Sequence, residues 1–164
     1  MTWTSEFSDY FAARAGRLRR VAYALCGDWH LAEDLVQQAF LQLYRHWKRL
    51  DPTTIDAYAR RTLINAYLSM QRKRRHELVT ADLPEPPPGS GVDVAARLDM
   101  RRALDTLPPR QRVLVVLRHL EDVSVAEAAE ILGIAEGTVK SQTAHGLAKL
   151  RGALGAAPIV GELG

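Results

Sequence analysis

The sequence predicts an all-α protein of two small helical domains, residues 1–78 and 98–154. Apolar residues recur at three- and four-residue steps through both spans, the period of a helix with one buried side. Between them, residues 79–97 hold Pro84, Pro86, Pro87, Pro88, Gly89 and Gly91, which exclude a helix and favour extended chain. Near the C-terminus, Ser124–Arg151 reads as two short helices about a glycine, the pattern of a helix-turn-helix.

Ser5–Gly27 reads as the first helix, apolar at Phe7, Phe11, Leu18, Val21, Ala22 and Leu25 and wet at Arg14, Arg17, Arg19 and Arg20. Gly16 is a point where it can break. Asp28 can cap a second helix through Leu31–Leu50. Leu31, Leu35, Ala39, Leu43 and Trp47 follow a four-residue step there, and Val36, Phe40 and Tyr44 form a stripe beside them. This is more apolar width than one small domain needs, so one margin is open to a partner. Phe40 and Tyr44 suit core and partner surface equally. Asp51-Pro52 opens a third helix, because proline at the first helical position loses no hydrogen bond. Ile55, Ala59, Leu63, Ala66 and Met70 mark its buried side. Its other side carries Arg60, Arg61, Asn65, Gln71 and the basic run Arg72–Arg75, with Tyr58, Tyr67 and His76 among them. Basic groups neutralise phosphates, while rings and amides stack on or read unpaired bases. That mixture suits single-stranded nucleic acid; the plainer reading is a solvated, charged helix end.

In the second domain, Val94–Leu107 reads as a helix that Pro108-Pro109 ends, and Gln111–Leu120 as a short, densely apolar one. Ser124 and Glu127 form a capping box ahead of Val125, Ala128, Ala129 and Leu132. Gly133 supplies the left-handed turn, and Ile134 an apolar anchor. The last helix starts near Ala135 or Glu136 and runs to Leu154, with Val139, Leu147 and Leu150 inward. Glu136, Thr138, Lys140, Ser141, Gln142 and His145 are then offered to a DNA major groove by its leading end. The plainer reading is a helical hairpin in a bundle. Gly146 either permits close packing or is tolerated at a modest cost. Residues 155–164 are small, apolar and uncapped, and are expected to fray.

Net charge is +3, unevenly spread. Residues 1–78 hold 13 Lys/Arg against 8 Asp/Glu, residues 79–97 hold 1 against 3, and residues 98–164 hold 8 against 8. The basic first domain attracts polyanions; the acidic linker does not. Cys26 is the only cysteine, which excludes an internal disulfide and a cysteine-based zinc cluster. The polar, acidic N-terminus does not look like a signal peptide, and no apolar run approaches membrane-spanning length. A cytoplasmic protein is the simplest account. There is no serine–histidine–acid motif, glycine-rich phosphate loop or HExxH site. His30, His46, His76, His119 and His145 are scattered, and Glu33 and Asp34 do not share a metal-binding face. Neither catalysis nor a cofactor is expected.

The layout resembles the small two-domain bacterial sigma factors of the extracytoplasmic-function group, and more narrowly the actinobacterial SigE-like subfamily. The resemblance covers roughly residues 7–78 and 98–152. AEDLVQQAFLQLYRHW (Ala32–Trp47) is similar to the segment that grips the clamp helices of the polymerase largest subunit. It implies polymerase contacts at Asp34, Leu35, Val36, Gln38, Phe40 and Leu43, although the family usually has glutamate where Gln38 stands. AYARRTLINAYLSMQRKRR (Ala57–Arg75) resembles the helix that opens and reads the minus-ten promoter element. Arg60, Arg61, Asn65, Tyr67, Arg72 and Lys73 are expected there, with Tyr67 either a stacking ring or a core residue. Asn65 falls on the family's usual asparagine, and Ser69 where aspartate is common. LPPRQRVLVVLRHLEDVSVAEAAEILGIAEGTVKS (Leu107–Ser141) is the most specific match and resembles the reader of the minus-thirty-five element. Thr138, Lys140, Ser141, Gln142 and His145 are its expected DNA contacts, with Arg112 and Arg118 flanking the groove or simply solvated. Ala135 stands where that family often has a capping serine, a loss of about 1 kcal/mol.

The resemblance implies a protein with no chemistry of its own. It would join core RNA polymerase, engage promoter DNA as duplex and as melted non-template strand, and exist as a monomer when free. An anti-sigma protein is an implied partner. An ordinary helix-turn-helix regulator of duplex DNA explains the second domain but leaves the basic third helix without a job. A small helical hydrolase would need a catalytic motif that the chain does not carry. A purely structural adaptor would need a helix-turn-helix that binds no DNA.

Overall fold

The computed structural model describes residues 2–78 and 95–155, all their regular structure helical. The expected linker and tail lie outside the described residues apart from their edges: residues 95–97 are helical and Gly155 follows the last helix. The chain divides into two compact units, Met1–Tyr67 and Leu68–Gly164.

Helix α1 spans Trp3–Cys26 without a break at Gly16. Thr2 Oγ1 accepts from Ser5 N–H at 3.3 Å to open it, and Gly27, at φ 74°, closes it by donating to Tyr23 O at 2.8 Å. The left-handed backbone at this stop favours glycine. Asp28 then caps α2 (Trp29–His46), its carboxylate accepting from His30 N–H at 2.8 Å and Leu31 N–H at 3.3 Å. Two short 3₁₀ turns, Trp47–Arg49 and Pro52–Thr54, lead into α3 (Ile55–Leu78). Asp51 accepts from Thr53 N–H at 3.0 Å at that corner, and this bond lowers its carboxyl pKa.

The core of the first unit is apolar and aromatic. Leu18, Val21, Ala22 and Leu25 of α1 are buried with Ala32, Leu35, Val36, Ala39, Phe40 and Leu43 of α2 and with Ala59, Leu63, Ile64 and Tyr67 of α3. Phe7 meets Phe40, Tyr44 and Trp47 edge-on, with ring centroids 6.2, 5.3 and 5.4 Å away. Polar ties hold the rim. Tyr10 Oη donates to Asp56 Oδ1 at 2.6 Å, and Arg14 donates to Asp56 Oδ2 at 3.2 Å. Burial first, and then the Asp56 bond, push the Tyr10 phenol above its ordinary range. Arg19 grips Glu33 through two hydrogen bonds of 2.6 and 3.3 Å, which occupies that carboxylate in structure.

In the second unit, α4 (Ala95–Asp105) is followed by α5 (Pro109–Val115), which widens into a π turn over Val116–Leu120. Helices α6 (Val125–Leu132) and α7 (Glu136–Leu154) complete it, and α7 packs against α4, α5 and α6. Ser124 Oγ caps α6 by accepting from Glu127 N–H at 3.1 Å. Gly133, at φ 64°, ends it: Gly133 N–H donates to Glu130 O, and Ile134 N–H donates to Ala129 O. This pair of bonds is a Schellman motif and sets the turn of the helix-turn-helix. Ala103, Leu104, Leu107, Val115 and Leu150 form one buried cluster of this unit.

Candidate nucleic-acid interface

Helix α7 sorts its side chains cleanly. Val139, Thr143, Gly146 and Leu150 are buried, at four-, three- and four-residue steps along one side. Thr138, Lys140, Ser141 and His145 are exposed. Ser141 Oγ donates to Thr138 O at 3.2 Å, so its hydroxyl oxygen is left outward as an acceptor. Gln142 is half-buried at the edge of the packed side, where its Oε1 accepts from Gln111 Nε2 of α5 at 3.0 Å. Sequence reasoning missed that link, and the separation of 31 residues along the chain hides it. Ala135 has the extended backbone of a cap, φ −70° and ψ 151°, without a capping side chain.

The two flanking arginines are structural. Arg112 is 8% exposed, and its guanidinium donates to Leu104 O at 2.9 Å, Asp105 O at 3.2 Å and Leu107 O at 3.0 Å. A cation at the end of α4 satisfies carbonyls that have no partner within the helix. It is therefore not free to flank a groove. Arg118 is half-buried and donates to Val123 O at 2.6 Å, bracing the turn that leads to α6. For the buried Arg112 this binding of backbone carbonyls replaces the expected flanking role, whereas Arg118 combines its bond to Val123 O with a half-exposed side chain.

On α3, Arg61, Asn65, Arg72 and Lys73 are exposed, and Arg60 is half-buried. Arg61, Asn65 and Arg72, four and seven positions apart, repeat the helical period and share one side. His76 is exposed as well. Tyr67 is 0% exposed: it is a core residue, and no base can stack on it. Tyr58 is half-buried with its ring edge-on to His46 at 6.2 Å.

Helix α2 corrects the expected partner surface in a similar way. Leu35, Val36, Phe40 and Leu43 are each 3% exposed or less and face the unit's own core. They offer no side chain to a partner. Asp34 and Gln38 are exposed, and Leu41 and Arg45 continue their stripe at helical steps. Leu41 is 52% exposed and Tyr44 45%, the apolar part of this outer face. Sequence reasoning passed over Leu41 because it belongs to neither apolar stripe, although a leucine opposite the buried side is itself a signal.

Among the described residues no group of His, Cys, Asp or Glu side chains could hold a metal ion, and no helix is long and apolar enough to cross a membrane.

Two family models match the chain. Sigma-70 region 2 covers residues 10–77, and Sigma-70, region 4 covers residues 97–150. The chain is 40% identical over 149 residues to RNA polymerase sigma-E factor of Streptomyces coelicolor, an alignment covering 89% of this chain and 84% of that protein. It is 36% identical over 155 residues to ECF RNA polymerase sigma factor SigE of Mycolicibacterium smegmatis, covering 89% of this chain and 60% of that protein. Among solved structures, it is similar to the sigma factor RpoE in complex with the anti-sigma factor NepR from Bartonella quintana. The TM-score is 0.74 at 26% identity, over 91% of this chain and 96% of that one.

Proposed function

The chain belongs to the ECF RNA polymerase sigma factors, and from that membership we propose how its parts divide the work. The sigma factor directs RNA polymerase to promoters; the region 4 match reads the minus-thirty-five element as duplex, through α7. The region 2 match carries the minus-ten surface on α3 and the polymerase surface on α2. The observation that carries this reading is the exposed polar side of α7, set by a capped α6 and a glycine turn. Its Thr138, Lys140, Ser141 and His145 are hydrogen-bonding or cationic groups at the leading end of the helix, the end that enters a major groove. On α3, Arg61, Arg72 and Lys73 can hold phosphates, while Asn65 can donate and accept at a base edge. On α2, the outward Asp34, Gln38 and Leu41 replace the buried apolar residues as the contact set. The domains would be residues 1–78 and 98–154, and the protein would work in the cytoplasm as a monomer when free, without catalysis of its own. The RpoE relative is held by an anti-sigma factor, and a sequestering protein of that kind is proposed to control this chain.

The test is transcription from a promoter library by core polymerase with and without the protein, with start sites mapped. The expected outcome is a new set of start sites sharing two upstream elements at fixed spacing. Sequence-specific duplex binding without polymerase, and no new start sites with it, would instead fit an ordinary helix-turn-helix regulator.

A further inference from the structure

We propose that Gln111, on α5, is a positioning residue that decides which base Gln142 reads. This rests on the reading of α7 as the duplex reader. A glutamine amide has one acceptor oxygen and one NH2 with two donors. Gln111 Nε2 donates to Gln142 Oε1 at 3.0 Å, so the carbonyl edge of Gln142 is turned toward α5 and its NH2 away from it. The orientation of Gln111 itself is determined by its other end. Gln111 Oε1 is buried and has no hydrogen-bond partner among the described residues. Turning the amide over would place an NH2 with two unpaired hydrogens in that closed space, which is worse than one orphaned acceptor. The reach between the two helices is set one turn along α7. A Cβ added at Gly146 would lie only 3.4 Å from Gln111 Cβ, so the helices approach closely where that side chain is missing.

The consequence is chemical. Paired recognition of adenine by glutamine needs its oxygen to accept from N6 while its nitrogen donates to N7. With the oxygen turned toward Gln111, the end of the Gln142 amide that faces away from α5 is its donor. A donor suits the two acceptors of guanine, O6 and N7, before the single acceptor of adenine, N7, or of thymine, O4, and does not suit the N4 amino group of cytosine.

The experiment uses the full chain assembled with core RNA polymerase on duplex promoters randomised through the minus-thirty-five element. Bound sequences are counted for the wild type, Gln142→Ala, Gln111→Ala and Gln111→Glu, with the thermal midpoint of each variant checked. Gln142→Ala is expected to level one base-pair column that the wild type fills with guanine by about tenfold. Gln111→Ala should relax that column only. Gln111→Glu can only accept, so it should draw the NH2 of Gln142 inward, expose the carbonyl and invert the column toward adenine or cytosine. A purely structural role for Gln111 would change affinity for every sequence equally and invert nothing. If Gln142→Ala levels a column that Gln111→Ala leaves at its wild-type ranking, the proposal is overturned while the reading of α7 stands. If Gln142→Ala levels no column, the proposal falls as well. Ser141→Ala and His145→Ala then report separately on α7: no change in any column would remove the duplex reading itself.

Discussion

Arg112 carries a full charge into a space that is 8% open and directs its donors to three backbone carbonyls. Removing it leaves a cavity and takes a donor from all three carbonyls, of which Leu104 O keeps the Leu107 N–H. Arg112→Ala is expected to lower the unfolding free energy by about 2–4 kcal/mol in urea titration. Base preferences at the upstream element should not move at a temperature where the variant is folded, because the side chain does not reach the surface. Gly146 sets two opposing effects against each other. Alanine is a better helix former than glycine by about 1 kcal/mol. Its Cβ, however, would stand 3.0 Å from Leu107 Cδ2 and 3.0 Å from Val115 Cγ2, both on buried residues. Overpacking of this kind costs about 1–3 kcal/mol. Gly146→Ala is therefore expected to be destabilising by about 1 kcal/mol, and a higher thermal midpoint would show that the two neighbours give way.

At the scale of the element, α7 begins with a backbone ready for a cap and a residue that cannot supply one. Ala135→Ser adds an acceptor for the free N–H groups of the first turn. It should raise stability by about 0.5–1 kcal/mol without altering which bases are preferred. Helix α2 is a different case, since its inner residues hold the core and its outer ones face away from it. Changing Asp34 and Gln38 together to arginine should leave the thermal midpoint nearly unchanged, as exposed substitutions do. The same double variant should weaken binding to core polymerase by roughly tenfold or more, the loss of one or two good contacts, read by fluorescence titration. Unaltered affinity in a folded variant would exclude this face of α2.

At the scale of the whole molecule, the proposed division of work makes its losses separable. Arg72→Ala with Lys73→Ala should weaken single strands of every sequence and flatten the salt dependence, because two phosphate contacts release fewer counterions. Asn65→Ala should act mainly on the preferred non-template strand, with opening followed by a fluorescent base in the minus-ten element. Polymerase binding should survive both changes. Equal loss of polymerase binding and strand binding in the two variants would mean that α3 had been given the wrong task.

Much of this architecture is legible in the sequence itself, and the reason is locality. Helical periods, Asp28 and Ser124 as caps, and Gly27 and Gly133 as stops all act within a few residues, and each sits at its expected helix boundary. The helix-turn-helix can be read for the same reason. Which side chains remain available to DNA or polymerase is less accessible. Tyr67 and Phe40 have the composition of a contact surface, but their neighbours in space make them core. Arg112 and Arg118 have the chemistry of DNA contacts, yet carbonyls of α4 and of the turn at Val123 engage them, and the amide of Gln111 takes the oxygen of Gln142. A polar side chain goes to whichever partner tertiary packing brings within about 3 Å, and that partner is not written in the local pattern. Gly146 shows the same limit: its spacing permits tolerance or close packing, and only the approach of Leu107 and Val115 distinguishes them.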